Sequence, residues 1–211
     1  LSMGALLLAG TLSAQTPVPE WQAGVDKMKS LIQTNPAQAS EEVGELLKGK
    51  NKKNVDLVTS VAHVYLDAGK LTEAQEYLAM AKKADNKDPK VSVLEGDIAL
   101  AQKNIGQACQ LYEQAIYFDP NCKEAYLKYA QAYKSASPAL AIEKLEQLKA
   151  VDPNCLEADR ELAEVYYSSN RFGKAAEMYA KFIDTPLATE DDMLKYAFAL
   201  FLNHDFEKSL Q

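Results

Sequence analysis

Residues 123–153 read KEAYLKYAQAYKSASPALAIEKLEQLKAVDP, two apolar stripes separated by Ser-Ala-Ser-Pro and closed by Asp152 and Pro153. In the first half Tyr126, Tyr129, Ala130 and Tyr133 follow one another at spacings of three, one and three, which places them on one face of a 3.6-residue helix. Ala141, Leu145 and Leu148 form the matching stripe in the second half. Pro138 suits a helix start, because its missing N–H would have had no intrahelical partner there. The stretch predicts a helical hairpin.

Equivalent residues recur along the chain at a nearly fixed interval. The small residue of the first helix reads Ala62, Gly96, Ala130, Ala163 and Ala197, at gaps of 34, 34, 33 and 34. Three positions later the chain reads Tyr65, Ala99, Tyr133, Tyr166 and Leu200. The small residue of the second helix reads Ala74, Ala108, Ala141, Ala175 and Ser209, at gaps of 34, 33, 34 and 34. One residue is therefore missing between Tyr133 and Ala141, in the turn, where a deletion is tolerated best.

This pattern resembles the tetratricopeptide repeat family, W-x2-L-G-x2-Y, then A-x3-F, then P over 34 residues. The matching residues are Tyr126-x2-Tyr129-Ala130-x2-Tyr133 with Ala141-x3-Leu145 and Pro153, and Asp159-x2-Leu162-Ala163-x2-Tyr166 with Ala175-x3-Tyr179 and Pro186. Two weaker copies are Val58-x2-Val61-Ala62-x2-Tyr65 with Ala74-x3-Leu78 and a late Pro89, and Ser92-x2-Glu95-Gly96-x2-Ala99 with Ala108-x3-Tyr112 and Pro120. Met193-x2-Tyr196-Ala197-x2-Leu200 begins a fifth. The resemblance implies an all-α, right-handed α-solenoid of antiparallel helix hairpins. We expect repeats at residues 55–88, 89–122, 123–155 and 156–189, and part of a fifth at 190–211.

Composition agrees with an all-helical chain. It has 211 residues, 47% hydrophobic, nine Gly and eight Pro, with no alternating β-branched run that would call for a sheet. A single hairpin buries too little apolar surface to stand alone, so stacking is expected to join the stripes into one continuous core. The formal net charge of −7 argues against a nucleic-acid partner, which would require a basic face.

Residues 3–12 (MGALLLAGTL) are apolar and uncharged, and Ser13, Ala14 and Gln15 follow. This predicts a secretory leader, residues 1–14, cut near Ala14, and hence a periplasmic or secreted protein. The run is too short for a membrane span, which needs about 20 apolar residues. The basic start of such a leader is missing before Leu1, and we expect a few residues to precede it. If the leader is retained, its apolar side should be buried. Residues 15–54 are expected to form a linker and a degenerate capping hairpin, with Trp21, Val25, Met28, Leu31 and Ile32 on one helix and Ala39, Val43, Leu46 and Leu47 on the other. Trp21 reads as a core anchor rather than a ligand contact. Lys48, Lys50, Lys52 and Lys53 make the one basic run, which fits a solvated loop near a helix C-terminus and, alternatively, a contact for an acidic partner or anionic lipid.

Signals of chemistry are sparse. His63 and His204 are the two histidines, and neither lies in a metal-binding or nucleophile motif. There is no Gly-rich phosphate loop, and no cofactor or metal is expected. Cys122 and Cys155 fall at equivalent places one repeat apart. Packed helices lie about 8–10 Å apart and a disulfide needs Cα atoms within about 7 Å, so free thiols are expected there and at Cys109.

In the family the first helices line a concave groove that holds an extended peptide or a partner's helix. By register that face carries Asp56, Thr59, His63 and Leu66; Lys90, Val93, Asp97 and Leu100; Glu124, Leu127, Gln131 and Lys134; Glu157, Arg160, Glu164 and Tyr167; and Asp191, Leu194, Phe198 and Phe201. The family's basic clamp on a C-terminal carboxylate is not implied by so mixed and acidic a set. Phe198 and Phe201 suit a binding hot spot or a covering helix equally. The expectation is a non-enzymatic scaffold of the bacterial cell envelope with a protein partner. Self-association, or an N-terminal region of a longer protein whose catalytic part follows residue 211, are the alternatives.

Overall fold

The computed structural model describes residues 18–204. The expected leader, its cut near Ala14 and the burial of its apolar side all lie outside these residues, as does Ser209. Among the described residues there are eleven α-helices, one 3-10 turn and no strand. The helices pair as α1 (Gln22–Leu31) with α2 (Pro36–Leu46), α3 (Val55–Asp67) with α4 (Leu71–Ala84), α5 (Pro89–Ala101) with α6 (Ile105–Phe118), α7 (Lys123–Tyr133) with α8 (Pro138–Val151), and α9 (Leu156–Ser168) with α10 (Phe172–Tyr179). The 3-10 turn Gly49–Lys53 joins the first pair to the second, and α11 (Glu190–Leu202) follows the last.

Local chemistry sets the ends. Asn35, Asn54 and Asn104 accept hydrogen bonds from the first-turn amides of α2, α3 and α6, and α11 starts on a reciprocal capping box of Thr189 and Asp192. In three hairpins the turn uses one residue in the left-handed region, Gly69, Lys103 and Asn170, with φ of 74°, 64° and 58°, and His204 after α11 has φ 63°. After the first three, an amide reaches back five residues, from Lys70 to Tyr65, Asn104 to Ala99 and Arg171 to Tyr166. The turn before α8 differs. There Ser137 reaches back four residues to Tyr133, so the missing residue has removed the left-handed position.

Ala62, Ala130 and Ala163 are fully buried. Gly96 shows why the position stays small: a Cβ there would lie 2.5 Å from Cε1 of Tyr112, which has no exposed surface. The interior forms three clusters along the stack, the second and third bridged by Ile116 and Tyr133. Val91, Leu94 and Ile98 of α5 face the first cluster while Val93 and Ala99 face the second; Ala125 and Tyr129 of α7 face the second while Tyr126 and Ala130 face the third. A first helix in mid-stack is covered on both sides, so it forms a wall between layers.

The α9–α10 hairpin departs from its siblings. Helices α4, α6 and α8 run 14 residues, but α10 stops after eight, well before Pro186. Beyond Tyr179 the amides of Lys181, Phe182 and Thr185 reach back only three residues, and this tighter winding drops Phe182 fully into the third cluster beside Tyr179.

Successive first helices pack on one another, α1 on α3, α3 on α5, α5 on α7 and α7 on α9, whereas no pair of successive second helices packs comparably. A two-layer stack that is tighter in one layer curves with that layer inside. The first helices therefore form the inner face.

Candidate functional site

Charged side chains on the inner face are mostly joined across the boundary between hairpins. Lys90 Nζ donates to Asp56, Lys123 Nζ to Glu157 at 2.8 Å, Arg160 Nε to Asp192 at 3.1 Å, and Lys195 Nζ to both oxygens of Glu164 at 3.0 Å. Gln131 donates to Glu161 at 2.7 Å. Asp56, Lys90, Gln131, Glu157, Arg160 and Glu164 are residues that register places along the groove, and partners outside that set, Lys123, Glu161, Asp192 and Lys195, help them tie hairpin to hairpin. Arg160 is the clearest case: it neutralises an Asp192 carboxylate with 1% of its surface exposed. Thr59 and Val93 are 4% and 1% exposed and lie at the floor of the groove, where both line the pocket beside His63.

Two polar clusters of one design lie beneath this face. At the first, Asp97 accepts from the Tyr112 hydroxyl at 2.7 Å, pairs with Lys128 at 2.9 Å and meets His63 Nε2 at 3.0 Å. At the second, Glu164 accepts from the Tyr179 hydroxyl at 2.9 Å and from Lys195. Burial alone would raise the Asp97 carboxyl, but the His63 hydrogen bond, the Lys128 charge and the Tyr112 hydroxyl outweigh it and hold Asp97 below the usual carboxylate range. Burial and the adjacent carboxylate push both tyrosine hydroxyls far up, so they serve as fixed donors. Sequence reasoning placed Tyr112 and Tyr179 only as the repeat's second-helix aromatics and did not single out Lys128 or Lys195. The available signal was the spacing: 97, 112 and 128 recur as 164, 179 and 195, each 67 residues on.

What stays open to solvent divides into two parts. Near the start of the stack a pocket of about 330 Å³ is lined by Trp21, Ser60, His63, Lys90 and Glu124 among others. Trp21 thus does two things, packing partly on the first core cluster and walling this pocket. At the far end α11 presents Leu194, Phe198 and Phe201, 57%, 49% and 53% exposed, on one face of the helix. Tyr167 lies edge-on to Phe172 at 5.7 Å. Leu66 and Leu127 are half-buried against the first and third clusters, and Lys134 is half-exposed at the end of α7.

No group of three His, Cys, Asp or Glu among the described residues is arranged to hold a metal, and none of the described helices is long and apolar enough to cross a membrane. Cys109, Cys122 and Cys155 are free thiols.

The chain belongs to the tetratricopeptide repeat family, whose model matches residues 59–121 and 131–188, more than half of its length. Among solved structures it is similar to PilW, described as a widely conserved type IV pilus biogenesis factor, with a TM-score of 0.68 at 16% identity over 92% of this chain and 90% of that one. PilF of Pseudomonas aeruginosa gives 0.67 at 18% identity over 90% and 86%. YrrB, described as a TPR protein with an unusual peptide-binding site, gives 0.56 at 15% identity over 79% and 86%. At these identities the likeness is one of fold. A comparison with curated proteins gives no match.

Proposed function

We propose that this chain is a non-enzymatic scaffold of a bacterial cell envelope that holds a peptide or helix of a partner protein along the inner face of its repeats. One observation carries this proposal: the inner-face charges are largely satisfied within the chain, while the side chains of Leu194 and Phe198 are half-exposed. A ligand would gain little from the paired charges and much from covering the apolar face. Recognition by apolar anchors, with the Trp21 and His63 pocket at the other end, suits an amphipathic segment better than a charged terminus. The peptide-binding site in the printed description of YrrB supports a peptide ligand. The envelope setting rests on the apolar residues 3–12 with Ala14 behind them, and on the pilus biogenesis role printed for PilW.

The test is site-specific photo-crosslinking in envelope extracts. A photoreactive amino acid at Phe198 should give one dominant adduct that Leu194→Glu abolishes, and the same group at Tyr117, on a second helix, should not give it. Equal adducts from both positions would remove the inner face as the binding site.

A further inference from the structure

The second-helix side carries a separate site. The basic run singled out in the sequence folds as the 3-10 turn Gly49–Lys53, which packs against α4. Asn51 donates to the Leu46 carbonyl at 2.9 Å and Asn54 caps α3, so both ends of the turn are fixed. Between the turn and the last part of α4 lies a cavity of about 590 Å³ lined by Lys52, Lys53 and Lys83 with Ala79, Met80 and Ala84. Two nearby lysines outside the pocket are engaged, Lys48 with Glu45 at 2.6 Å and Lys82 with Glu95 at 2.6 Å. Lys52, Lys53 and Lys83 are exposed and form no ion pair among the described residues.

We infer that this pocket binds an acidic segment of a partner protein, one apolar side chain seated on Met80 and the alanines and flanking carboxylates on the three lysines. Charge complementarity selects this occupant. Three unpaired cations surround the apolar floor in a chain whose formal net charge is −7. The same arithmetic disfavours an anionic bilayer: an extended surface meets the repulsion of the whole acidic molecule, whereas a short peptide within a Debye length of about 8–10 Å meets chiefly the local lysines. The shape agrees, since a recessed apolar floor receives one inserted side chain, and Met80 can adjust to its form. The site lies on the opposite layer from the inner face, so it would let one copy hold two partners.

The probe is a fluorescein-labelled peptide with one phenylalanine between two pairs of glutamates, titrated with the full chain and read by fluorescence anisotropy. Saturable binding is expected, weakened about tenfold in the triple variant Lys52→Glu, Lys53→Glu, Lys83→Glu by the loss of three exposed pairs. A peptide with glycine for phenylalanine should also bind more weakly. Leu194→Glu on the inner face should leave the affinity unchanged, and this separates the site from the groove. Circular dichroism checks that the triple variant keeps its helices. No saturable binding, or equal affinity in the triple variant, overturns the proposal. So does co-sedimentation with phosphatidylglycerol vesicles that the triple variant loses while the peptide fails to bind.

Discussion

Tyr112 donates its hydroxyl to Asp97 Oδ1 at 2.7 Å, and 67 residues further on Tyr179 donates to Glu164 Oε1 at 2.9 Å. The α3–α4 and α7–α8 hairpins have Leu78 and Leu145 at the tyrosine's place. The contact therefore repeats with every second hairpin. Hydrogen bonds to a charged acceptor contribute about 1.5–3 kcal/mol. Because Lys128 and His63 still serve Asp97 when the hydroxyl is gone, Tyr112→Phe should cost about 1–2 kcal/mol in urea unfolding. Strict additivity of Tyr112→Phe and Asp97→Asn in a double-mutant cycle would contradict the coupling.

Acid should act on the same residue. Asp97 and Asp192 both have folded-state values held down: against burial, which raises each, work His63, Lys128 and Tyr112 for the first, and Thr189 and Arg160 for the second. Unfolded aspartates titrate near about 3.9. The stabilisation from both groups is complete above that value and is lost as pH falls through the lower folded values. The urea midpoint should hold steady from about pH 7 to pH 5 with respect to these groups and decline below about pH 4. Asp97→Asn should flatten that decline, and an unchanged slope would rule Asp97 out as its source.

Two glycines should respond oppositely to alanine. Gly96→Ala places a Cβ 2.5 Å from the ring of Tyr112, which Asp97 holds in place, so overpacking should outweigh the helix-propensity gain and cost about 1–3 kcal/mol. Gly44→Ala, in α2, meets nothing within 4 Å and should gain about 0.5–1 kcal/mol. Thermal unfolding of the two variants gives the sign directly.

Burial pushes all three thiols up, Cys109 to about 11. Cys122 is half-buried and the other two are buried. With iodoacetamide at about pH 8 the native chain should label at Cys122 first, and all three should label far more slowly than in urea. Native labelling of Cys109 at the unfolded rate would mean that the second cluster opens readily.

Much of the fold was legible because it follows from period and punctuation. Ala62, Gly96, Ala130 and Ala163 fix the register, and Pro138 marks a helix start that the structure keeps. The early end of α10 was not legible, since Pro186 sits where a full-length helix would stop; the tighter winding goes with the burial of Phe182, a tertiary contact. The inner face was legible as a set of positions but not as a surface. Register places Arg160 and Glu164 toward the groove, yet only three-dimensional packing brings Asp192 and Lys195 close enough to occupy them.

The closer packing of the first helices also sets how the stack can flex. Tightening the curve would compress a layer already in contact, and close-packed side chains resist compression steeply. Opening it draws on the slack between second helices. The stack should therefore resist closing more than opening, as a spring with a stop on one side.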